Sequence, residues 1–427
     1  MVVQMESDPN QPAVEPPVTD FVPAQRGWPR PLGEPRPWSG PPPAYHPAEQ
    51  PNGNDQRSSG AARIRSFQKR DIMPVAWLHR KVFSPQGGPP SAELCAYLSD
   101  VFFDHPGYDD SSPSLVYEEN DGRIAGFLGV IPGRMVMRGR PVKVAVGSQF
   151  MVDPDSRNAM AGVKLLKAFF SGPQDLSMTD GANAMARRVW ETLGGSSVPI
   201  YSIYWTRVLR PAQYALALAG KPGSLLRVAL MSGRPIGRML DGTIMGRMQP
   251  YRFQAQRLPF VAEEEADIGR MCAHLSQLSA NTSLRPDYDP ESLTWRLRMA
   301  ALKKKFGPLR NEVLRRADGE VVGWYLYYLN VGGVSQVLQL TAFPKTITGV
   351  LNHLFYSAWK LGSTAIAGRI EPRFMHELYH QRCRFNCGSA FLIQSKDQDL
   401  LQAVYTGDAL LTRLEGEWWN RFNELAH

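Results

Sequence analysis

At roughly 100–200 residues per domain, a chain of 427 residues implies two globular units plus extra segments, and 43% hydrophobic content with ten tryptophans excludes wholesale disorder. Four cysteines, at 95, 272, 383 and 387, are too few and too scattered for a disulfide framework. The start MVVQMESDPN lacks the basic and apolar regions of a secretory signal, and no run of about 18 apolar residues occurs, so the expectation is a cytoplasmic protein without membrane insertion.

The formal charge of +8 is concentrated: residues 207–257 hold nine basic residues against one acid, Asp241. A basic connector over 211–257 is therefore expected between two lobes, with a contact to an acidic partner as its functional reading. Residues 1–60 hold 14 of the 35 prolines and read as a disordered Pro-rich tail. Order is expected from RIRSF (63–67), followed by helices from Asp71 to Phe83 and over 91–103. SLVYEEN, DGRIAGFLGVI and PVKVAVGSQFMV read as a meander, followed by a helix over 158–170, a strand DLSMTD, a helix over 183–195 and a strand PIYSIYWTRV.

The order then returns. DGRIAGF at 121–127 reappears as DGEVVGW at 318–324, an offset of 197, followed by strand, helix, strand, a helix carrying HELYH, and the strand SAFLIQS. The chain reads as two copies of one α+β lobe, over 61–210 and 258–427, each a mixed, mostly antiparallel sheet flanked by helices.

FMVDPDSRNAMAGVKLL ends a strand and opens a helix, and it resembles motif A of the GNAT acyltransferases, whose pattern is Q/R-x-x-G-x-G/A. Arg157 and Gly162 match, whereas Met160 stands where the first glycine is expected. The resemblance makes this a tandem GNAT-like protein and implies that Arg157, Asn158, Ala159, Met160, Ala161 and Gly162 cradle the pyrophosphate of acyl-coenzyme A at a helix N-terminus. It also implies that the backbone near Met151 and Val152 holds the pantetheine arm and polarises the thioester. A side chain at Gly162 would then intrude on the phosphate.

DGANAMARRVWETLGG resembles the family's next helix, with Asn183 at its asparagine position and Trp190 where the family has a tyrosine that protonates the departing thiolate. In the second copy that tyrosine position is Tyr379. No base is evident: Glu118, Glu119 and Asp180 are candidates, Glu119 being taken with Asn183 and Tyr379 as the catalytic set. The expected reaction is transfer of an acyl group, acetyl by default, from acyl-CoA to a small-molecule or polymer-borne amine. An aminoacyl-tRNA-dependent transferase of the same double fold, with tRNA on the connector, and a catalytically degenerate binding protein are the rivals.

His376-Glu377-Leu378-Tyr379-His380 fits the zinc-peptidase pattern H-E-x-x-H. Arg382 occupies a position such enzymes keep apolar, no third ligand follows at a usual spacing, and the stretch aligns with the GNAT-like helix. No metal is expected there.

Overall fold

The computed structural model describes residues 61–84, 88–156, 160–219, 260–263 and 267–422. The 1–60 tail, most of the 211–257 connector, and Arg157, Asn158 and Ala159 lie outside them. All described residues belong to one unit, an α+β arrangement of two mixed, mostly antiparallel sheets with helices.

The first half runs β1 (Arg63–Ser66), α1 (Ile72–Phe83), α2 (Ala92–Phe102), β2 (Leu115–Glu118), β3 (Ile124–Met137), β4 (Arg140–Val152), α3 (Ala161–Phe170), β5 (Leu176–Ala182), α4 (Ala184–Thr192), β6 (Ser196–Ser197), β7 (Ile203–Val208) and α5 (Pro211–Ala219). The second runs β8 (Val261–Glu263), α6 (Ile268–Leu278), β9 (Leu284–Pro286), α7 (Pro290–Ala301), β10 (Leu309–Arg315), β11 (Val321–Tyr328), β12 (Val334–Ala342), α8 (Ile347–Lys360), β13 (Ala365–Arg369), α9 (Met375–His380), β14 (Arg384–Cys387), β15 (Ala390–Ser395) and α10 (Gln398–Tyr405). PIYSIYWTRV is not one strand, because Pro199–Ser202 forms a 3-10 turn and extension begins only at Ile203.

Several local features recur 197 residues apart. The β2–β3 ladder slips between Tyr117 and Glu118, and β10–β11 slips between Leu314 and Arg315, at positions 197 apart. In each turn an aspartate accepts from the backbone two residues on: Asp121 from Arg123 N–H at 2.9 Å, and Asp318 from Glu320 N–H at 3.0 Å. Gly126 and Gly323 occupy equivalent sites where a helix presses on the sheet. A Cβ would lie 2.8 Å from Leu165 in the first and 2.5 Å from Val350 in the second, so only glycine permits that approach.

The copies are nonetheless interlaced. The first sheet has the order β1-β2-β3-β4-β5-β15-β6 with β9 beside β3, and the second β14-β7-β13-β12-β11-β10-β8. Thus β7, from the end of the first half, pairs with β13 in the second sheet, and β15 pairs with β5 in the first. Residue pattern alone marks both as strands but carries no information on which sheet receives them. Helices α3 and α4 cover the outer face of the first sheet through Leu165, Phe169 and Trp190, and α8 covers that of the second through Val350, Leu354 and Phe355. Helices α1, α2, α6, α7 and α10 share the layer between the sheets with the segment Ala409–Phe422.

That segment is buried almost throughout. Beside it Arg369 of β13 donates to Asp180 of β5 at 2.7 Å, with side chains only 1% and 0% exposed. Arg369 also donates to the Thr412 carbonyl, and Asp180 accepts the Glu417 N–H at 2.7 Å. Removing one member of a buried pair strands the other charge, so Arg369→Ala is expected to lower stability by about 3–5 kcal/mol in urea denaturation, and the double change Arg369→Met with Asp180→Leu to recover much of that loss.

Candidate functional site

Strands β4 and β5 run parallel but pair only over Val144–Val146 with Leu176–Met178, although both continue to Val152 and Ala182. Beyond that point they diverge into a wedge. A bulge in β4 opens it: Phe127 faces Met151 and Gly129 faces Ser148, leaving two β4 residues opposite one of β3, with Gln149 at φ 52°. The second sheet repeats the device, since β12 and β13 pair only over 334–336 with 365–367 and β12 carries one extra residue opposite β11.

One stretch of chain enters both wedges. In the second, Arg413 donates to the Gln336 side chain at 2.9 Å and to the Val337 carbonyl at 3.3 Å, just past the last paired residue. In the first, Glu417 accepts from Gln149 N–H at 3.3 Å and from the Thr179 hydroxyl at 2.8 Å, while Arg421 donates to it at 3.0 Å. Asn420 accepts from Ser148 Oγ at 3.1 Å, and its carbonyl accepts from the Tyr97 hydroxyl. A carboxylate thus faces the backbone N–H of a strained bulge within a buried wedge. Sequence reasoning missed Glu417, Asn420 and Tyr97. The available signal was the run ALLTRLEGEWWNRF, in which isolated charges sit among large apolar residues.

The wedge leads to the loop before α3. Asp153 is held by Lys81 at 2.6 Å and by Arg123, and its N–H returns to Ala125 O at 2.9 Å. Met160, at the N-cap of helix α3, makes no side-chain bond to the helix, and the first turn carries no acid. Met151 is buried in the layer between the sheets, Val152 is half-buried, Met160 is 51% exposed at the helix start, and Ala161 is buried under it. Gly162 stands in the first turn of α3. A Cβ there would lie 3.2 Å from Phe150 and 3.3 Å from Val152. The glycine therefore lets α3 settle on β4.

The three expected catalytic side chains are not brought together. Asn183 caps α4, accepting from Ala186 N–H at 2.9 Å. Glu119 lies beside the α3 loop, bonded by Ser156 Oγ at 2.7 Å and paired with Arg123. Tyr379 is 68% exposed on α9 in the second half, against the His380 ring. Asp180 is committed to Arg369, and Glu118 to Arg65 and Arg63. Trp190 is buried and donates to Ile393 O at 2.9 Å, tying α4 to the exchanged strand β15.

In HELYH the Nε2 atoms of His376 and His380 lie 3.0 Å apart on the six-residue α9. Cys383 is buried, its thiol pushed up to about 12 by burial, and Cys387 is exposed. No cluster of three or more His, Cys, Asp or Glu side chains suited to a metal occurs among the described residues, and no described helix is long and apolar enough to cross a membrane.

No protein-family model and no curated protein matches this chain. Solved structures do. A conserved protein of unknown function from Enterococcus faecalis, described as a probable N-acyltransferase, is similar with TM-score 0.54 and 11% identity, over 81% of this chain and 75% of that one. A GCN5-related N-acetyltransferase from Anabaena variabilis is similar with TM-score 0.52 and 10% identity, over 80% and 75%. Saccharomyces cerevisiae N-myristoyltransferase with bound myristoyl-CoA is similar with TM-score 0.45 and 12% identity, over 78% and 82%. The chain has the GNAT superfamily fold.

Because the Gly162 contacts require neighbours to shift, Gly162→Ala is expected to cost about 1 kcal/mol and Gly162→Leu about 1–3 kcal/mol in chemical denaturation. Wild-type stability in the leucine variant would contradict this packing role.

Proposed function

We propose that the protein is an N-acyltransferase that takes an acyl group from acyl-coenzyme A and passes it to an amine. The observation that carries this reading is the β4–β5 wedge, which runs from the start of α3 to a bulge where a buried carboxylate meets a backbone N–H. The Enterococcus protein, a probable N-acyltransferase, and the Anabaena N-acetyltransferase support it. In this reading the loop 157–162 and the first turn of α3 receive the pyrophosphate through backbone N–H groups. The pantetheine arm lies in the wedge against Met151 and Val152, and the acyl group ends near Gln149. Acetyl is the simplest group the narrow, polar wedge would take.

Glu417 replaces Glu119 as the base. The amine nitrogen attacks the thioester carbonyl carbon, Gln149 N–H turns from Glu417 to the developing oxyanion, the C–S bond breaks, and the ammonium proton passes to the Glu417 carboxylate. Trp190, which lacks a hydroxyl and is spent on Ile393, gives the thiolate no proton. That feature favours a second reading, a binding protein that holds acyl-CoA without turnover.

The connector reading is retained as part of the proposal with one change. Arg207 is buried in β7, and Arg210 donates to Trp359 O at 2.6 Å, so the remaining seven basic residues, from Lys221 to Arg257, would meet the acidic partner.

Calorimetric titration of the purified protein with acetyl-CoA should give one site per chain. With an amine panel and thiol release as readout, Glu417→Gln should lose about 10²–10⁴-fold in kcat while acetyl-CoA binds within threefold of wild type. Binding without turnover in wild type would support the second reading, and absence of binding would defeat both.

A further inference from the structure

A second cavity of about 390 Å³ lies away from the wedge, where the loop after α2, the β3–β4 hairpin and the start of α7 meet. That volume falls within the roughly 300–1,000 Å³ of small-molecule sites. Its inner wall holds three donors that are more than nine-tenths buried: His105 is 5% exposed, Trp295 6% and Arg296 8%. His105 Nε2 and Trp295 Nε1 have no hydrogen-bond partner. The Arg296 guanidinium donates to Leu414 O at 2.9 Å and lies over the Tyr288 and Trp419 rings, but among the described residues no carboxylate pairs with it. Unpaired buried donors are costly, and a buried cation without a counter-charge more so.

The mouth has the opposite character. Asp109, Asp287 and Glu291 line it and are exposed. Asp289 is paired with Arg134, and Lys143 is the other cation there. Among the described residues, three carboxylates outside that pair, one of them Asp109 bonded by Ser111 N–H and attracted by Lys143, against the one ammonium leave the mouth net negative, which disfavours a multiply charged phosphate and favours a cationic group on the outer end of the ligand. His105 adds no charge inside, since burial first and the Arg296 charge second lower it from 6.5 to about 4.

We propose that this cavity binds a small amino-carboxylate, with the carboxylate on Arg296, His105 and Trp295 and the amine among the acids at the mouth. The planar guanidinium suits a carboxylate through two parallel bonds, and the indole N–H and imidazole supply the remaining donors. The site does not depend on the acyltransferase reading, because it uses none of the residues of the β4–β5 wedge.

Calorimetry and thermal shift with 4-aminobutanoate, 6-aminohexanoate and 8-aminooctanoate, each to about 20 mM, test it, with hexanoate, hexylamine and inorganic phosphate as comparison arms. At least one amino-carboxylate should bind at one site per chain, hexanoate about tenfold more weakly, and hexylamine and phosphate not measurably. Gly133 lines the cavity with open space beside it: a Cβ would sit 3.6 Å from Arg296 and 4.0 Å from Val144 O, both ordinary contacts. Gly133→Leu should therefore fill the cavity and reduce binding at least tenfold while keeping the wild-type circular dichroism spectrum. Arg296→Lys, which retains charge but not the two-pronged geometry, should weaken binding by a similar factor. The proposal is overturned if none of the three amino-carboxylates binds, if phosphate or hexylamine binds as well as they do, or if binding survives both substitutions.

Discussion

The buried contact of Asp180 with Arg369 is the constraint around which both halves are arranged. Each residue stands near the end of a strand where its sheet has begun to diverge, so each offers a charge to an interior that water does not reach. Neither could be buried alone at tolerable cost. Together they tie β5 of the first sheet to β13 of the second, and one further segment bonds to both, through the Thr412 carbonyl and the Glu417 N–H. The C-terminal run is therefore interior structure. It carries Arg413 to an open carbonyl in one wedge and Glu417 to an open N–H in the other, matching charge to the polarity of each exposed strand end.

That arrangement also explains the exchange of β7 and β15. By crossing, β7 places Trp205 against β13, its Nε1 donating to Arg369 O at 3.1 Å, while β15 accepts Trp190 at Ile393. The two tryptophans hold the crossed strands beside the same polar centre. Trp190 is thus a structural residue, its indole N–H spent on Ile393 O.

Much of the fold was legible because it rests on local rules. The alternation in β2 to β4, the D-G turns, the helix expected over 158–170 and described from Ala161, and the features 197 residues apart all follow from neighbours in sequence, and matching ladder slips fall at Glu118 and Arg315. The site was less legible because its contacts are distant along the chain. Glu417 meets Gln149 across 268 positions and Thr179 across 238, and no spacing rule connects them. Gly162 illustrates a subtler limit. Sequence marked it as a required glycine, but room for a phosphate and room for a strand leave the same letter. The direction of the absent Cβ shows the second, which no sequence pattern displays.

The filled first wedge bears on how such a centre would work. Glu417 is bonded to Gln149 N–H in this arrangement, and a thioester carbonyl would need that same N–H as its charge develops. In the proposed reaction, substrate entry would release one carboxylate bond, while Thr179 and Arg421 would continue to hold Glu417 within reach. Release of Gln149 does not require Arg369 or Asp180 to move, since those two bind the backbone of the segment and not the Glu417 carboxylate. A side-chain swing of one residue would then suffice to ready the wedge, with the lobes fixed. Had Glu417 been anchored by Gln149 alone, opening the wedge would instead have stripped the base from the centre at the moment it was needed.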